Sequence, residues 1–260
     1  MPVAGGIATY SGAGSPLNKF AGLGFGGPLE SSELAAVERA FDSRGVPLQV
    51  ELASLADPAI GAQLTKRDYA LVGFENVLGR ALPVTGSIET DRSAPASQFE
   101  IAESPAAELA SWIDVLVTGF AHPDAQGIAS HEHFPRAALE RVMADVSSAD
   151  GFVRYLVRSG NELAAGASMR ICDGIAQLTG AATLPAFRRR GLQSKLLIRR
   201  LELAGEAGCD LAVITTQPGS KSQENSQRQG FSLLYTRAIL VRQPRATGSV
   251  ESGDLETHRP

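Results

Sequence analysis

Cysteine is almost missing from this 260-residue chain, which carries only Cys172 and Cys209. Two cysteines form no disulfide framework and offer no zinc-ligand spacing. Both sit in or beside apolar, strand-like stretches, where a thiol behaves as a small hydrophobe rather than a nucleophile. An excess of positive charge is missing too. The formal net charge is -4 and the pI about 5.6, so nothing global draws the chain to nucleic acid or to an anionic membrane. The opening MPVAGGIATYSG has no basic stretch followed by an apolar one, so no signal peptide is expected. The most apolar helix-like stretch, ELASWIDVLVTGF, carries Asp114 and is too short to span a bilayer. These absences predict a cytoplasmic protein. What is present, 43% hydrophobic and 20% charged residues, is the composition of a globular chain long enough to bury a core.

Two breaks divide the chain. The stretch ETDRSAPASQ reads as a linker, and QPRATGSVESGDLETHRP as a disordered tail with no apolar period. The expected organisation is an N-terminal half over residues 1–90, a linker over 91–98, a second half over 99–242 and the tail over 243–260.

The second half alternates strand and helix signals. FEIAE reads as a strand, and the following helix recurs at Leu109, Trp112, Ile113, Leu116 and Phe120. Arg136 to Val146 reads as another helix. Three strands follow in FVRYLVRSG, ELAAGASMRI and IAQLTGAATL, with turns at Gly160-Asn161 and Asp173-Gly174. Leu192, Leu196, Leu197, Leu201 and Ala204 make the apolar face of the next helix, and Lys195, Arg199, Glu202 and Glu206 its polar face. DLAVITT is a buried strand, PGSKSQENSQRQG holds a short polar helix, and FSLLYTRAILVR is a last strand.

The first half echoes this order. SSELAAVERAFDSRG is a helix with Ser31 or Ser32 as N-cap and Gly45 as stop. VPLQVEL is a strand, Pro58 opens a short helix, and Tyr69 begins the strand YALVGFENVL. Gly45 to Tyr69 is 24 positions, and Gly208 to Phe231 is 23. Two related halves explain the echo, the first degenerate; ordinary α/β alternation is the other explanation.

The chemistry concentrates at TLPAFRRRGLQSKLL, Thr183 to Leu197. A strand, a glycine turn and a helix start make an anion site, because the first helical N–H groups have no intrahelical partner and the helix dipole adds positive charge. Three arginines at that end oppose the dipole unless an anion arrives. Forked guanidinium groups suit phosphate oxygens, and glycine admits a bulky diphosphate.

Here the sequence resembles the GNAT superfamily of N-acyltransferases. TLPAFRRRGLQ is similar to its acyl-CoA motif, with Thr183, Pro185, Arg188 and Gly191 at the motif positions. Gln193 replaces the usual Gly or Ala. The resemblance implies an α/β (α+β) fold with a mixed, mostly antiparallel central sheet flanked by helices, here as two tandem halves. It implies acetyl-CoA as acyl donor, lying in a V-shaped gap between IAQLTGAATL and DLAVITT. Ala182, Thr183 and Leu184 would hold the pantetheine arm. The stretch Arg188, Arg189, Arg190, Gly191, Leu192, Gln193 and Ser194 would hold the pyrophosphate, and Asn225 would touch the cofactor. A backbone N–H near Leu184 would hold the oxyanion.

Two departures stand out. The tyrosine that commonly serves as general acid in the family is replaced by Ser226, with Tyr235 as an alternative acid. The glutamate common on the preceding strand is missing; IAQLTGAATL offers only Gln177 and Thr179. His131 and His133 in SHEHFP are candidate acceptor-loop residues or plain surface histidines. With no third ligand nearby they give no reason to expect a metal. A competing motif, GLGFGG, places Gly22, Gly24 and Gly27 in G-x-G-x-x-G order, but no clear strand precedes it and Pro28 interrupts the helix side.

The expected activity is transfer of an acetyl group from acetyl-CoA to the amine of a small-molecule acceptor, by direct attack, in a monomer or homodimer. A non-catalytic acyl-CoA-binding protein, a protein or peptide N-acetyltransferase, and a nucleotide-cofactor enzyme using GLGFGG are the alternatives.

Overall fold

The computed structural model describes residues 1–82, 98–122 and 134–245. The first half contains β1 (Pro2–Val3), β2 (Gly6–Thr9), β3 (Lys19–Leu23), α1 (Ser31–Asp42), β4 (Leu48–Ala53), α2 (Pro58–Thr65) and β5 (Ala70–Ala81). The second contains β6 (Phe99–Glu103), α3 (Leu109–Ala121), α4 (Arg136–Val146), β7 (Phe152–Ser159), β8 (Glu162–Cys172), β9 (Ile175–Thr183), α5 (Leu192–Glu206), β10 (Leu211–Thr216), α6 (Lys221–Arg228) and β11 (Ser232–Arg242). Most of the linker, most of the tail, and both His131 and His133 lie outside the described residues. No described helix is long and apolar enough to cross a membrane.

The described strands form one sheet in the order β1-β2-β3-β4-β11-β5-β10-β9-β8-β7-β6. Two neighbouring pairs are parallel, β3 with β4 and β9 with β10; the others are antiparallel. Each parallel pair is bridged by one helix, α1 or α5, and each is followed by a short helix, α2 or α6. The last strands are exchanged. β11 pairs with β4 of the first half, and β5 pairs with β10 of the second. The sheet centre thus repeats the same unit about an axis between β11 and β5, which is the architecture expected of two related halves.

Burial follows the patterns that shape the elements. Leu192, Leu196, Leu197, Leu201 and Ala204 of α5 pack on Ala165, Ala167, Met169 and Leu178 of the sheet. On the opposite face, Trp112 is 1% exposed and donates its Nε1–H to the carbonyl of Ala167 at 3.0 Å. That bond satisfies the indole and fixes the height of α3 over β8. In the first half, Phe20, Leu34, Val37, Leu48, Leu64 and Tyr69 form one core around α1 and α2.

Three strands, β1 to β3, were not expected from the sequence. The N-cap of α1 also differs. It is Glu30, with no side-chain cap bond, rather than Ser31 or Ser32. Both serines fall inside the helix, where Ser31 Oγ accepts from Gln63 Nε2 and its carbonyl from Arg67.

Candidate acyl-CoA site

β9 and β10 begin as partners and then part. Ile175 to Leu178 pair with Leu211 to Ile214, and no pairing continues from Thr179 onward. On its other side β9 stays attached to β8, but the register shifts between Ala167 and Ser168, so that Gly180 is extruded as a bulge with φ +36°. A bulge leaves one peptide out of the ladder and bends the strand. The parting strands open a cavity of about 630 Å³ between the end of β9, the start of α5, α6 and the end of α3.

The start of α5 forms one end of this cavity. Gly191 is the N-cap residue, in the left-handed region at φ +74°, and no side chain caps the helix. A Cβ at Gly191 would meet nothing within 4 Å, so the glycine serves backbone conformation rather than packing. Gly191, Leu192, Gln193 and Ser194 line the cavity, and no acidic residue occupies the first turn. The first-turn N–H groups therefore meet the cavity without a competing carboxylate. Gln193 is fixed by its Nε2–H to Thr183 Oγ1 at 2.8 Å.

The three arginines divide. Arg188 donates from Nε to the carbonyl of Thr183 at 3.3 Å and from Nη2 to Gly119 at 3.3 Å, and also to the carbonyl of His122. It ties the end of β9 to the C-terminus of α3, whose last carbonyls need donors. Arg190 does not line the cavity. Its guanidinium stands 5.4 Å from the Phe187 ring centre and bonds Ala186 O at 3.3 Å. Arg189 lines the cavity, makes no protein hydrogen bond among the described residues, and holds an unusual φ of +62°. A non-glycine residue in that region costs about 1 kcal/mol.

Of the other anticipated residues, Ala182, Thr183, Asn225 and Ser226 line the cavity. Leu184 does not, and its N–H is already given to Ala164 O at 2.9 Å, so it cannot hold an oxyanion. Ser226 is 1% exposed and donates its hydroxyl hydrogen to Ser222 O at 2.9 Å. Tyr235 is a correction. It lies in β11 opposite Val77, with its ring 5.7 Å from that of Phe25, and takes no part in the cavity. The residue sequence reasoning overlooked is Arg200, buried on α5 and lining the cavity. Its spacing from Leu196, Leu197 and Ala204 placed it on the apolar face, a signal visible in the sequence.

GLGFGG is placed differently. A Cβ on Gly26 would fall 2.4 Å from Gly5 Cα, and one on Gly24 would fall 2.4 Å from Ala56 Cβ. Gly26 thus permits backbone contact between the loop and the β1–β2 turn, and Gly24 permits packing on Ala56 between β4 and α2. Among the described residues, no group of three or more His, Cys, Asp or Glu could hold a metal.

Residues 120–231 match the model described as the acetyltransferase (GNAT) family. In fold, the chain is similar to a GCN5-related N-acetyltransferase from Kribbella flavida, at 20% identity and TM-score 0.65, over 94% of this chain and 89% of that one. A GCN5-related N-acetyltransferase from Sphaerobacter thermophilus aligns at 12% identity and TM-score 0.62, over 87% of this chain and 73% of that one. A tandem GNAT protein from the clavulanic acid biosynthesis pathway aligns at 12% identity and TM-score 0.62, over 89% and 76%. No curated protein matches the sequence.

Proposed function

From the match of residues 120–231 to the acetyltransferase (GNAT) family model, we propose that this chain transfers an acetyl group from acetyl-CoA to the amine of a small-molecule acceptor, by direct attack in a ternary complex. The observation that carries this reading is the parting of β9 from β10 beside an uncapped helix start. The pyrophosphate lies against the N–H groups from Arg189 to Ser194, where backbone donors and the helix dipole act together. The pantetheine arm runs along the unpaired edge of β9, and Asn225 meets it from α6. The extruded Gly180 peptide is the donor best placed for the carbonyl oxygen as it becomes an oxyanion. The amine attacks in its neutral form, forms the C–N bond, and loses its extra proton as the C–S bond breaks.

The small-molecule acceptor is supported by the way the first half closes on the second. The loop between β2 and β3 reaches α4, where Arg141 donates to Ala13 O at 3.3 Å and Gly14 lies near Pro135. Such a wall narrows access beside α3 and α4, where a protein substrate would need an open groove.

Calorimetric titration with acetyl-CoA, followed by a screen for released CoA thiol over free amines and N-terminal peptides, tests both parts. Micromolar-range binding, about 8 kcal/mol, with turnover of a free amine is expected. Turnover of peptides alone would overturn the acceptor class. Binding without turnover of any amine would favour a non-catalytic acyl-CoA-binding protein, a second reading motivated by Ser226 standing where an acid is common.

A further inference from the structure

Arg200 is 2% exposed, and no carboxylate pairs with it among the described residues. Its Nε donates to Leu196 O at 3.2 Å, and its Nη1 to Ser168 O at 2.8 Å and Thr179 O at 3.2 Å. The last two carbonyls flank the register shift at Gly180. Nη2 donates to no protein group among the described residues, and the side chain lines the acyl-CoA cavity together with Leu178, Leu197 and Ile214. A buried cation without a counter-ion is costly unless an anion completes it.

The reaction supplies such an anion. When the tetrahedral intermediate collapses, the C–S bond breaks and its electron pair stays on sulfur. A thiolate needs either a proton donor or a positive charge. Neither anticipated acid serves: Ser226 has given its hydrogen to Ser222 O, Tyr235 lies elsewhere, and Lys221 at the cavity's border is bonded to Glu224 at 2.6 Å. Resting on the acetyl-CoA reading above, we propose that Arg200 is a catalytic cation that receives the departing CoA sulfur as a thiolate through its free Nη2, at the floor of the cavity beneath the Gly180 bulge. No proton is transferred at that step; the thiolate is protonated by water on release, and the proton from the amine leaves to solvent.

The charged and titratable groups around Arg200 permit this. From β7, Tyr155 faces it, and burial pushes that phenol up to about 12, so it stays neutral. Glu103 on β6 and Arg199 on α5 act on Tyr155, while Arg188, Arg189 and Lys221 border the same cavity. Burial lowers Arg200 itself to about 10, which leaves it charged at neutral pH. In a water-poor site a fixed charge acts on a forming anion far more strongly than in water.

The test compares the intact protein binding CoA and desulfo-CoA from pH 6 to 10. A cation at the sulfur lowers the pKa of the bound thiol below its free value. A thiol pKa lower by about one in the bound state means that the thiolate binds about tenfold more tightly than the thiol. The affinity for CoA relative to desulfo-CoA should then rise with pH, by up to that factor as the free thiol itself titrates. Arg200→Gln removes the charge while leaving an amide donor on a shorter side chain, and should flatten that rise. Arg200→Lys should restore part of it. Turnover should fall about a hundredfold in Arg200→Gln, on the scale of losing one oxyanion donor, with acetyl-CoA affinity unchanged. A flat ratio in the unsubstituted protein, or a rise that survives Arg200→Gln, overturns the proposal. If neither ligand binds, the acetyl-CoA reading fails, and this proposal fails with it.

Discussion

The two halves share one plan and differ in whether a gap opens. In the second half, β9 and β10 part after Leu178, and α5 starts without a side-chain cap or an acidic first turn. In the first half, β3 remains paired with β4 up to Leu23, inside the GLGFGG stretch, by passing through a register shift after Phe20. α1 carries Glu33 in its first turn, which already answers the helix dipole. Glu51 is buried between β3 and β11, bonded to Lys19 at 2.7 Å and to Arg237 at 2.6 Å, and Arg237 also reaches Glu75 at 2.6 Å. Glycine occurs in both loops, once in LPAFRRRG and four times in GLGFGG, but serves opposite ends. At Gly191 it keeps space open; at Gly26 it lets the backbone of Gly5 fill the space, and at Gly24 the side chain of Ala56. The same strand–glycine–helix frame is thus a ligand site or a packing joint, depending on whether the strands part.

The largest expected effect breaks this contrast directly. Gly191→Asp adds a carboxylate at the uncapped start of α5, in a conformation disfavoured by about 1 kcal/mol. Acetyl-CoA affinity should drop at least a hundredfold, about 2.7 kcal/mol, by calorimetry. Gly27 lies 18 positions before Gly45 as Gly191 lies 17 before Gly208, and it also has a positive φ and open space around its missing Cβ. Gly27→Asp should change that affinity less than twofold. Equal losses in both variants would mean that the first half also contributes to the acyl-CoA site. Next in size is Gly26→Ala. Its Cβ meets backbone atoms of Gly5 at 2.4 and 2.5 Å, which cannot rotate away. A loss of about 2 kcal/mol is expected, seen as a Tm lower by about 4–8 °C, with acetyl-CoA affinity unchanged in the folded protein.

The second half was more legible in the sequence than the first, for physical reasons. Its elements are long and periodic, and Arg136–Val146 forms a helix with the bounds its pattern predicts. β2 and β3 are short, glycine-containing strands, and Gly22 breaks the alternation between Phe20 and Leu23 by taking a positive φ. Without a period there was nothing to read. The exchange of β5 and β11 is a long-range pairing that no local pattern encodes. In the site, the glycine turn and helix start were readable from residue types, because their chemistry is local. The partners of the arginines were not. Arg188 reads as a phosphate ligand until its carbonyl acceptors on α3, far away in sequence, are known. Arg200 was readable as a charged residue at a buried helical position, and its significance comes from the bulge carbonyls it meets.

The smallest effects separate the arginines from one another. Arg188→Met removes donors from the carbonyls of Thr183, Gly119 and His122 and loosens the loop against α3. Acetyl-CoA affinity should weaken about tenfold, near 1.4 kcal/mol, with a stability loss of similar size from the unmatched carbonyls. Arg190→Ala removes an exposed bond to Ala186 O and a stacking contact on Phe187, the latter worth about 0.5–1 kcal/mol, and should leave affinity within twofold. The first half supplies no arginine at the equivalent place, so this pair tests what the arginines add to the frame. If position matters, Arg188 alone is sensitive, because it shapes the loop whose backbone N–H groups do the binding. If total positive charge matters, both substitutions weaken acetyl-CoA by similar factors and both losses shrink as salt is raised. The hydrogen bonds of Arg188 and the outward placement of Arg190 favour the first outcome.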